Sequence, residues 1–162
     1  MIRTARVGLT TAAVVLAACG TASAAAHAKT LSFFEKSESF VYTPLGGKPQ
    51  QGLPAGQPAA GSTIEFTDLN YAGTGTRHQR NWTSTDHFLC TFGSNGPTCE
   101  GQIAIGASML IVKGKGGQGT FSIPIIGGTG AFRGDNGTLH IEDIGETANA
   151  NITIDITKRR AK

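Results

Sequence analysis

Charge is scarce in this sequence, and the chain after its first 28 residues has no long apolar run. Acidic and basic residues make up only 15% of the 162 residues. A membrane-spanning helix needs roughly 20 apolar residues in succession, which this part of the chain does not supply. No long window repeats its apolar residues at helical spacing either. A transmembrane bundle and an all-helical domain are therefore excluded, and the length predicts about one domain.

Positive charge is especially scarce in the middle of the chain. Residues 29–157 contain eight basic and eleven acidic residues, whereas residues 158–162 are almost all basic. A nucleic-acid-binding domain carries a basic stripe through its fold. We therefore expect no nucleic-acid partner, and we interpret the basic tail as a solvated chain end.

Cysteine is rare as well, with three residues in the chain. A zinc site needs more Cys or His at ligand spacing, so we predict no metal, and no motif indicates a cofactor. Cys90 and Cys99 form an even pair on either side of a Gly-, Asn- and Pro-containing turn. They predict a disulfide across a hairpin, which stabilises by about 2–3 kcal/mol.

The first residues have the composition of an export signal. Arg3 and Arg6 precede a short apolar run, which is followed by small residues of the Ala-x-Ala kind. One interpretation is a signal peptide over residues 1–28. The other is a lipoprotein signal over 1–18, with a lipid on Cys19 and a tether over 20–28, because residues 16–19 read Leu-Ala-Ala-Cys. Both predict export, to the extracellular space or the cell surface, with membrane contact only through that lipid.

The rest of the sequence consists of short β-branched and aromatic runs between Gly, Asn and Pro residues, which is typical of all-β domains. Asn95-Gly96 and Asn136-Gly137 predict hairpin turns, and residues 43–61 predict a long surface loop. About eight antiparallel strands with short links favour closure, because a closed barrel has no exposed edge. We therefore predict one closed eight-stranded antiparallel barrel over 29–157. Its strands are expected at 30–42, 62–71, 76–92, 99–105, 108–113, 119–126, 137–144 and 148–157, with a turn or kink at 127–134.

Two segments resemble the allene oxide cyclase and dirigent barrels. Residues 125–138 read Ile-Ile-Gly-Gly-Thr-Gly-Ala-Phe-Arg-Gly-Asp-Asn-Gly-Thr, and residues 61–71 read Gly-Ser-Thr-Ile-Glu-Phe-Thr-Asp-Leu-Asn-Tyr. The resemblance implies a barrel that binds one small apolar molecule and steers its cyclisation or coupling. It leaves open whether the chain is an enzyme of that isomerase-like or dirigent-like kind, or a non-enzymatic ligand carrier or surface module. Oligomeric state, including a homo-oligomer, also stays open.

The same resemblance implies candidate site residues. Glu35 falls on the cyclases' first-strand Glu, and Asp68 falls on a polar position of the second strand, so both are candidate catalytic acids. Ser37, Trp82 and Phe121 are candidate ligand-binding residues. Three positions depart from the families' patterns: Ser37 replaces the cyclase Asn, Phe121 replaces the dirigent Arg, and Cys90, near the cyclase Cys, is expected in a disulfide.

One energetic argument opposes the placement of Glu35. Neighbouring residues of a strand face opposite sides of the sheet, so Glu35 and Phe34 cannot both face the interior of a regular strand. Burying Phe34 would stabilise the fold by roughly 2–3 kcal/mol. This argument favours Phe34 inside and Glu35 outside, unless a bulge intervenes.

Overall fold

The computed structural model describes residues 28–157 except 53 and 55. The predicted export signal, Cys19 and the basic tail therefore lie outside the described residues. No helix within the described part is long and apolar enough to cross a membrane. The described residues form ten strands: β1 Ala28–Thr43, β2 Gln50–Gln51, β3 Thr63–Thr74, β4 Arg77–His78, β5 Ser84–Gly93, β6 Gly96–Ile105, β7 Ser108–Lys115, β8 Thr120–Thr129, β9 Asn136–Asp143 and β10 Ala150–Thr157.

Eight of these strands close into an antiparallel barrel, which confirms the predicted fold class. The ring runs β1-β10-β9-β8-β7-β6-β5-β3 and closes through pairing of β3 with β1. β2 and β4 are two-residue strands outside the ring, paired with the ends of β1 and β3. The loop predicted over 43–61 therefore contains one short strand, which lies along β1.

A bulge in β1 sets which of its residues face inward. Its pairing with β3 shifts between Ser37 and Ser39. Phe33 and Glu35 are buried before the shift, and the ring of Phe40 stacks on that of Phe66 of β3 after it. One extra residue on the bulged strand reverses the alternation of side chains. Odd-numbered residues before the bulge and even-numbered residues after it therefore face the interior.

The apolar core is built from alternating residues of the later strands. Ile123 and Ile125 of β8 are buried, as is Leu139 of β9. On β10, the residues Ile152, Ile154 and Ile156 are buried while Asp155 is exposed. β-Branched and Leu side chains on one face of successive strands thus fill one side of the barrel.

At the glycine-rich end of β8, other parts of the chain come very close to the backbone. A Cβ at Gly128 would lie 2.7 Å from the Cβ of Phe132 and 2.8 Å from the carbonyl oxygen of Met109. The chain then passes through a 3₁₀ turn, Gly130–Phe132, which buries Phe132 against the core. The predicted turn therefore lies at 130–134, because β8 continues to Thr129.

Two local predictions are wrong. Asn136-Gly137 is not a hairpin turn but the first part of β9, where Gly137 pairs with Ile156 and a Cβ would collide with the carbonyl of Asp155. The strand predicted over 76–92 is interrupted, since residues 79–83 are outside the ladder. The one large apolar side chain in this stretch, Trp82, is 55% exposed, and the chain instead turns back so that β4 pairs with the end of β3.

The predicted disulfide is confirmed. Cys90 and Cys99 are bonded, and they are directly opposite each other on β5 and β6. The two-residue loop between these strands is the hairpin predicted from Asn95-Gly96. Both sulfur-bearing side chains are buried, so the bridge joins the two strands on the inner face of the barrel.

Candidate functional site

Three buried acidic side chains meet inside the barrel. Glu35 of β1, Asp68 of β3 and Asp86 of β5 each direct a carboxylate oxygen to one place, and these oxygens lie within 4.8 Å of one another. Only 8% of Glu35, 1% of Asp68 and 3% of Asp86 is exposed. Acidic side chains are almost never fully buried without a partner. A cluster of three buried acids is therefore a candidate functional site in the interior.

Strand register explains why these residues meet. β1, β3 and β5 are consecutive in the ring, and Asp68 is directly opposite Ser37 on one side and Asp86 on the other. One layer further along, Asn70 is opposite both Glu35 and Ser84. Side chains directly opposite on one face lie about 5 Å apart, so two rows of polar side chains form one polar wall. We define this wall as Glu35, Ser37, Asp68, Asn70, Ser84 and Asp86.

Hydrogen bonds fix part of the polar wall and leave part of it unpaired. The side-chain amide of Asn70 donates to Oδ2 of Asp86 at 2.7 Å. Four other buried atoms of the wall have no hydrogen-bond partner: Asp68 Oδ1, Asn70 Oδ1, Ser84 Oγ and Asp86 Oδ1. A buried polar atom without a partner costs about 1–3 kcal/mol, so these atoms have unused binding capacity.

Burial changes the acidity of all three carboxyl groups. Desolvation, followed by the charges of Asp86 and Asp68, raises the pKa of Glu35 well above its usual range. Desolvation and then the charge of Asp86 raise the pKa of Asp68 to about 8, although a hydrogen bond from Ser37 opposes the rise. Desolvation raises the pKa of Asp86 to about 6, with hydrogen bonds from Asn70, Asp68 and Glu35 holding it lower.

This order of pKa values gives the three acids different protonation states near neutral pH. Asp86 is the most readily ionised of the three because its neighbours donate hydrogen bonds to it, whereas burial favours the protonated forms of Asp68 and Glu35. A proton donor and a proton acceptor are therefore in contact in a site screened from water. Such a pair can donate to one atom of a bound molecule and accept from another.

The interior position of Glu35 agrees with the resemblance and contradicts the burial argument for Phe34. Phe33, one residue earlier, is buried on the same face as Glu35 and supplies the aromatic burial that the argument assigned to Phe34. Phe34 is only half-buried, and its ring stacks on His78 at 4.6 Å between centroids. Catalytic roles for Glu35 and Asp68 stay predictions.

The other predicted site residues are separated by the fold. Ser37 is half-buried and hydrogen-bonds to Asp68, so it belongs to the polar wall. Trp82 is 55% exposed and lies outside the ladder, in the segment between β4 and β5, so it does not line the interior as expected for a ligand-binding residue. Phe121 is half-buried at the start of β8, which is opposite β3 in the ring, and packs on the apolar core, so its role as a ligand-binding residue stays a prediction.

Sequence reasoning missed Asp86, Asn70 and Ser84. Alternation could have found them: Ser84 and Asp86 are in phase with Phe88 and Cys90, and Asn70 is in phase with Asp68. The single long strand predicted over 76–92 obscured the first pattern, because it did not mark Ser84 as the first residue of a strand. The pairing of β3 with β5, which brings Asp68 to Asp86, is a long-range contact that the sequence does not reveal.

Together, the barrel and its polar wall define a class: a small closed β-barrel with acidic groups buried inside. No family model matches the chain. No curated protein matches it either. Solved structures do match, and three of them, at 17–18% identity, support the fold.

A pyocyanin demethylase is 17% identical with a TM-score of 0.61, covering 80% of this chain and 100% of that one. The pterocarpan synthase dirigent protein GePTS1 is 18% identical with a TM-score of 0.59, covering 84% and 88%. The pterocarpan synthase dirigent protein PsPTS1 is 18% identical with a TM-score of 0.55, covering 81% and 94%. The chain therefore has the dirigent and allene oxide cyclase type of barrel fold, as the resemblance implied.

Proposed function

We propose that the barrel binds one small, largely apolar molecule and holds the polar group of that molecule against the polar wall. The observation that carries this proposal is the set of four buried oxygens without partners, all on β3 and β5. A filled, inert core has no use for unpaired polar atoms, since each one destabilises the fold. A ligand that hydrogen-bonds to them recovers that energy only when it is bound.

The surroundings of the polar wall suit an apolar body. The rings of Phe40, Phe66 and Phe88 stack in a row across β1, β3 and β5, with centroids 5.3 and 5.1 Å apart. Ile103 of β6 is directly opposite Asp86 and fully buried. Eight-stranded barrels have an interior just wide enough for side chains or one small ligand. The site would therefore select a small molecule with one polar end.

We further propose that binding steers the cyclisation or coupling of this molecule. A site that holds a flexible reactant in one productive conformation lowers the entropic part of the activation barrier. The proton donor and acceptor of the acid cluster would then act on the ligand's polar group. The structural neighbours are named for pyocyanin demethylation and pterocarpan synthesis, which supports the view that barrels of this fold act on small molecules.

The test uses the side-chain amide of Asn70 as a reporter inside the barrel. ¹⁵N-labelled protein, kept in a chelator, is titrated by NMR with pyocyanin and with the neutral dye Nile red. We expect at least one probe to shift the Asn70 side-chain signals, and Asp68→Leu to weaken that binding about tenfold by removing a polar partner. The matched control is Glu65→Gln, an exposed acid on the outer face of β3, which leaves the affinity unchanged.

A different pattern of shifts would contradict this proposal. A shallow groove of about 280 Å³ lies on the outer surface and is lined by residues that include His87, Leu89 and Ile126. Shifts confined to that groove, with the Asn70 signals unmoved, would mean that the probes bind outside and that the interior is filled.

A passive carrier is the second candidate. One specific observation favours it: Cys90, which lies near the position of the cyclase Cys, is in a disulfide and offers no free thiol. Ser37 and Phe121 also differ from the residues that the resemblance leads one to expect. Recovery of unchanged probe after prolonged incubation with the barrel, measured by mass spectrometry, would favour the carrier, whereas a rearranged product would favour the enzyme.

We also propose that the protein is exported before it acts. The disulfide fits an oxidising compartment, and residues 1–28 have the composition of a signal. The mass of the mature protein separates the two export interpretations. A lipid-bearing Cys19 at the N terminus supports the lipoprotein, and a start at Ala25 or Lys29 supports ordinary cleavage.

A further inference from the structure

The acid cluster has the spacing of ligands around a single metal ion. The carboxylate oxygens of Glu35, Asp68 and Asp86 lie within 4.8 Å of one another. Calcium binds oxygen at about 2.3–2.6 Å, so two oxygens on opposite sides of one Ca²⁺ lie about 4.6–5.2 Å apart. All three carboxylates can therefore reach one ion without a change of strand register.

Neutral oxygens in the same wall provide an independent indication. Asn70 and Ser84 are 0% and 1% exposed, and neither Asn70 Oδ1 nor Ser84 Oγ has a hydrogen-bond partner. The amide nitrogen of Asn70 already donates to Asp86, which fixes this side chain beside the acids. Amide and hydroxyl oxygens are neutral ligands that complete the coordination of a hard cation.

Asp86, the most readily ionised acid of the polar wall, also lacks a buried partner of opposite charge. Within residues 28–157, as far as the structure describes them, the buried charged side chains are all acidic: Glu35, Asp68, Asp86 and Asp135. Buried charges are normally paired or bound to metal, and no buried Lys or Arg of the described part fills that role. The donor set is oxygen throughout, which suits Ca²⁺, Mg²⁺ or Mn²⁺ and does not suit soft metals that prefer sulfur.

We propose that the polar wall is a binding site for one hard divalent cation, best matched in size by Ca²⁺. Glu35, Asp68 and Asp86 supply the charged ligands, and Asn70 and Ser84 supply neutral oxygens. The site goes beyond the proposed function, because it requires no small organic ligand. Ca²⁺ binding across β1, β3 and β5 would tie together three consecutive strands of the ring.

The test measures uptake of the metal alone. Protein stripped with a chelator and dialysed at pH 8 is titrated calorimetrically with CaCl₂, and free Mn²⁺ is counted by electron paramagnetic resonance. We expect one equivalent to bind and the thermal midpoint to rise with Ca²⁺ concentration. Asp86→Asn and Asn70→Leu should each weaken binding at least about tenfold, whereas the exposed Glu65→Gln should not change it.

Two outcomes overturn the proposal. One is no uptake of Ca²⁺, Mn²⁺ or Mg²⁺ by the wild-type protein at millimolar concentration. The other is equal weakening by Glu65→Gln and Asp86→Asn, which would place the ion on the outer surface. Circular dichroism of each variant verifies that it is folded. The organic probes above are titrated in chelator, so a failure of metal binding and a failure of small-molecule binding are recorded separately.

Discussion

The two sides of the barrel interior are built from opposite kinds of side chain. On β7 to β10 the inward residues are aliphatic, as Leu110, Ile123, Leu139 and Ile154 illustrate, and all four are 0 or 1% exposed. On β1, β3 and β5 the same kind of inward position is occupied by the polar wall. Apart from the half-buried Ser37, both walls are buried, and they share one hydrogen-bonded ring, so the difference between them lies in side-chain chemistry. The aliphatic wall stabilises the fold, and the polar wall weakens it.

Shortening a side chain of the aliphatic wall gives the largest expected effect. Leu110→Ala should lower the free energy of unfolding by about 2–5 kcal/mol, because it removes buried apolar surface and leaves a cavity. Urea denaturation of the chelated protein measures the change. A loss below about 1 kcal/mol would show that this wall is loosely packed and that the contrast between the walls is overstated.

Raising the pH should weaken the fold through the polar wall. Asp86 and Asp68 have pKa values raised to about 6 and about 8, above the values near 4 expected in the unfolded chain. Between the unfolded and folded pKa values the folded protein holds protons that the unfolded chain has lost, so stability falls as pH rises through this range. At about 1.4 kcal/mol per pKa unit, these two groups together should lose about 5 kcal/mol between pH 5 and pH 9. Urea denaturation across this range checks the sign, and stability that rises with pH would contradict the account.

Neutralising one acid should reverse part of that loss. Asp68→Asn keeps the size of the side chain and removes the need to ionise a buried carboxyl group. At pH 8 and above we expect it to stabilise the chelated protein by about 1–3 kcal/mol and to flatten the upper part of the pH dependence. Thermal unfolding at pH 6 and pH 9 measures both effects. Destabilisation at both pH values would show that Asp68 is a structural hydrogen-bond acceptor.

The same substitution on the outer face of the strand should have the smallest effect. Glu65 lies on β3 with Asp68 but is exposed, and it pairs with the exposed His87. Exposed ion pairs contribute about 0–1 kcal/mol, so Glu65→Gln should change stability by less than about 0.5 kcal/mol. A change as large as that from Asp68→Asn would mean that burial is not the reason for the contrast.

The aliphatic wall could be predicted from the sequence, and the polar wall only in part. Alternation on β8, β9 and β10 is regular, so the spacing of residues is enough to assign Ile123, Leu139 and Ile154 to the apolar face of their strands. Glu35 and Asp68 were proposed through resemblance, and the burial argument for Phe34 went against Glu35. That argument failed because it compared two neighbours and ignored Phe33, which shares a face with Glu35.

The rest of the polar wall depends on contacts between distant segments. Asp86 joins Asp68 only because β5 pairs with β3 at that register. The bulge in β1, which lets both Glu35 and Phe40 face inward, has no glycine to mark it in the sequence. Polar residues on a strand normally indicate the face that contacts solvent. A row of buried polar residues is therefore assigned to the wrong face until the neighbouring strands are known.

The central claim is that Glu35, Asp68 and Asp86 form a buried cluster that retains protons near neutral pH. Carboxyl-carbon NMR of protein labelled with ¹³C at Asp and Glu, titrated in chelator, tests it most directly. The account predicts one Asp carboxyl that titrates near pH 6, a second near pH 8, and Glu35 well above its usual range. Asp68→Asn should remove the transition near pH 8. Titration of every carboxyl group between about pH 3 and pH 5, as in solvent, would contradict the account.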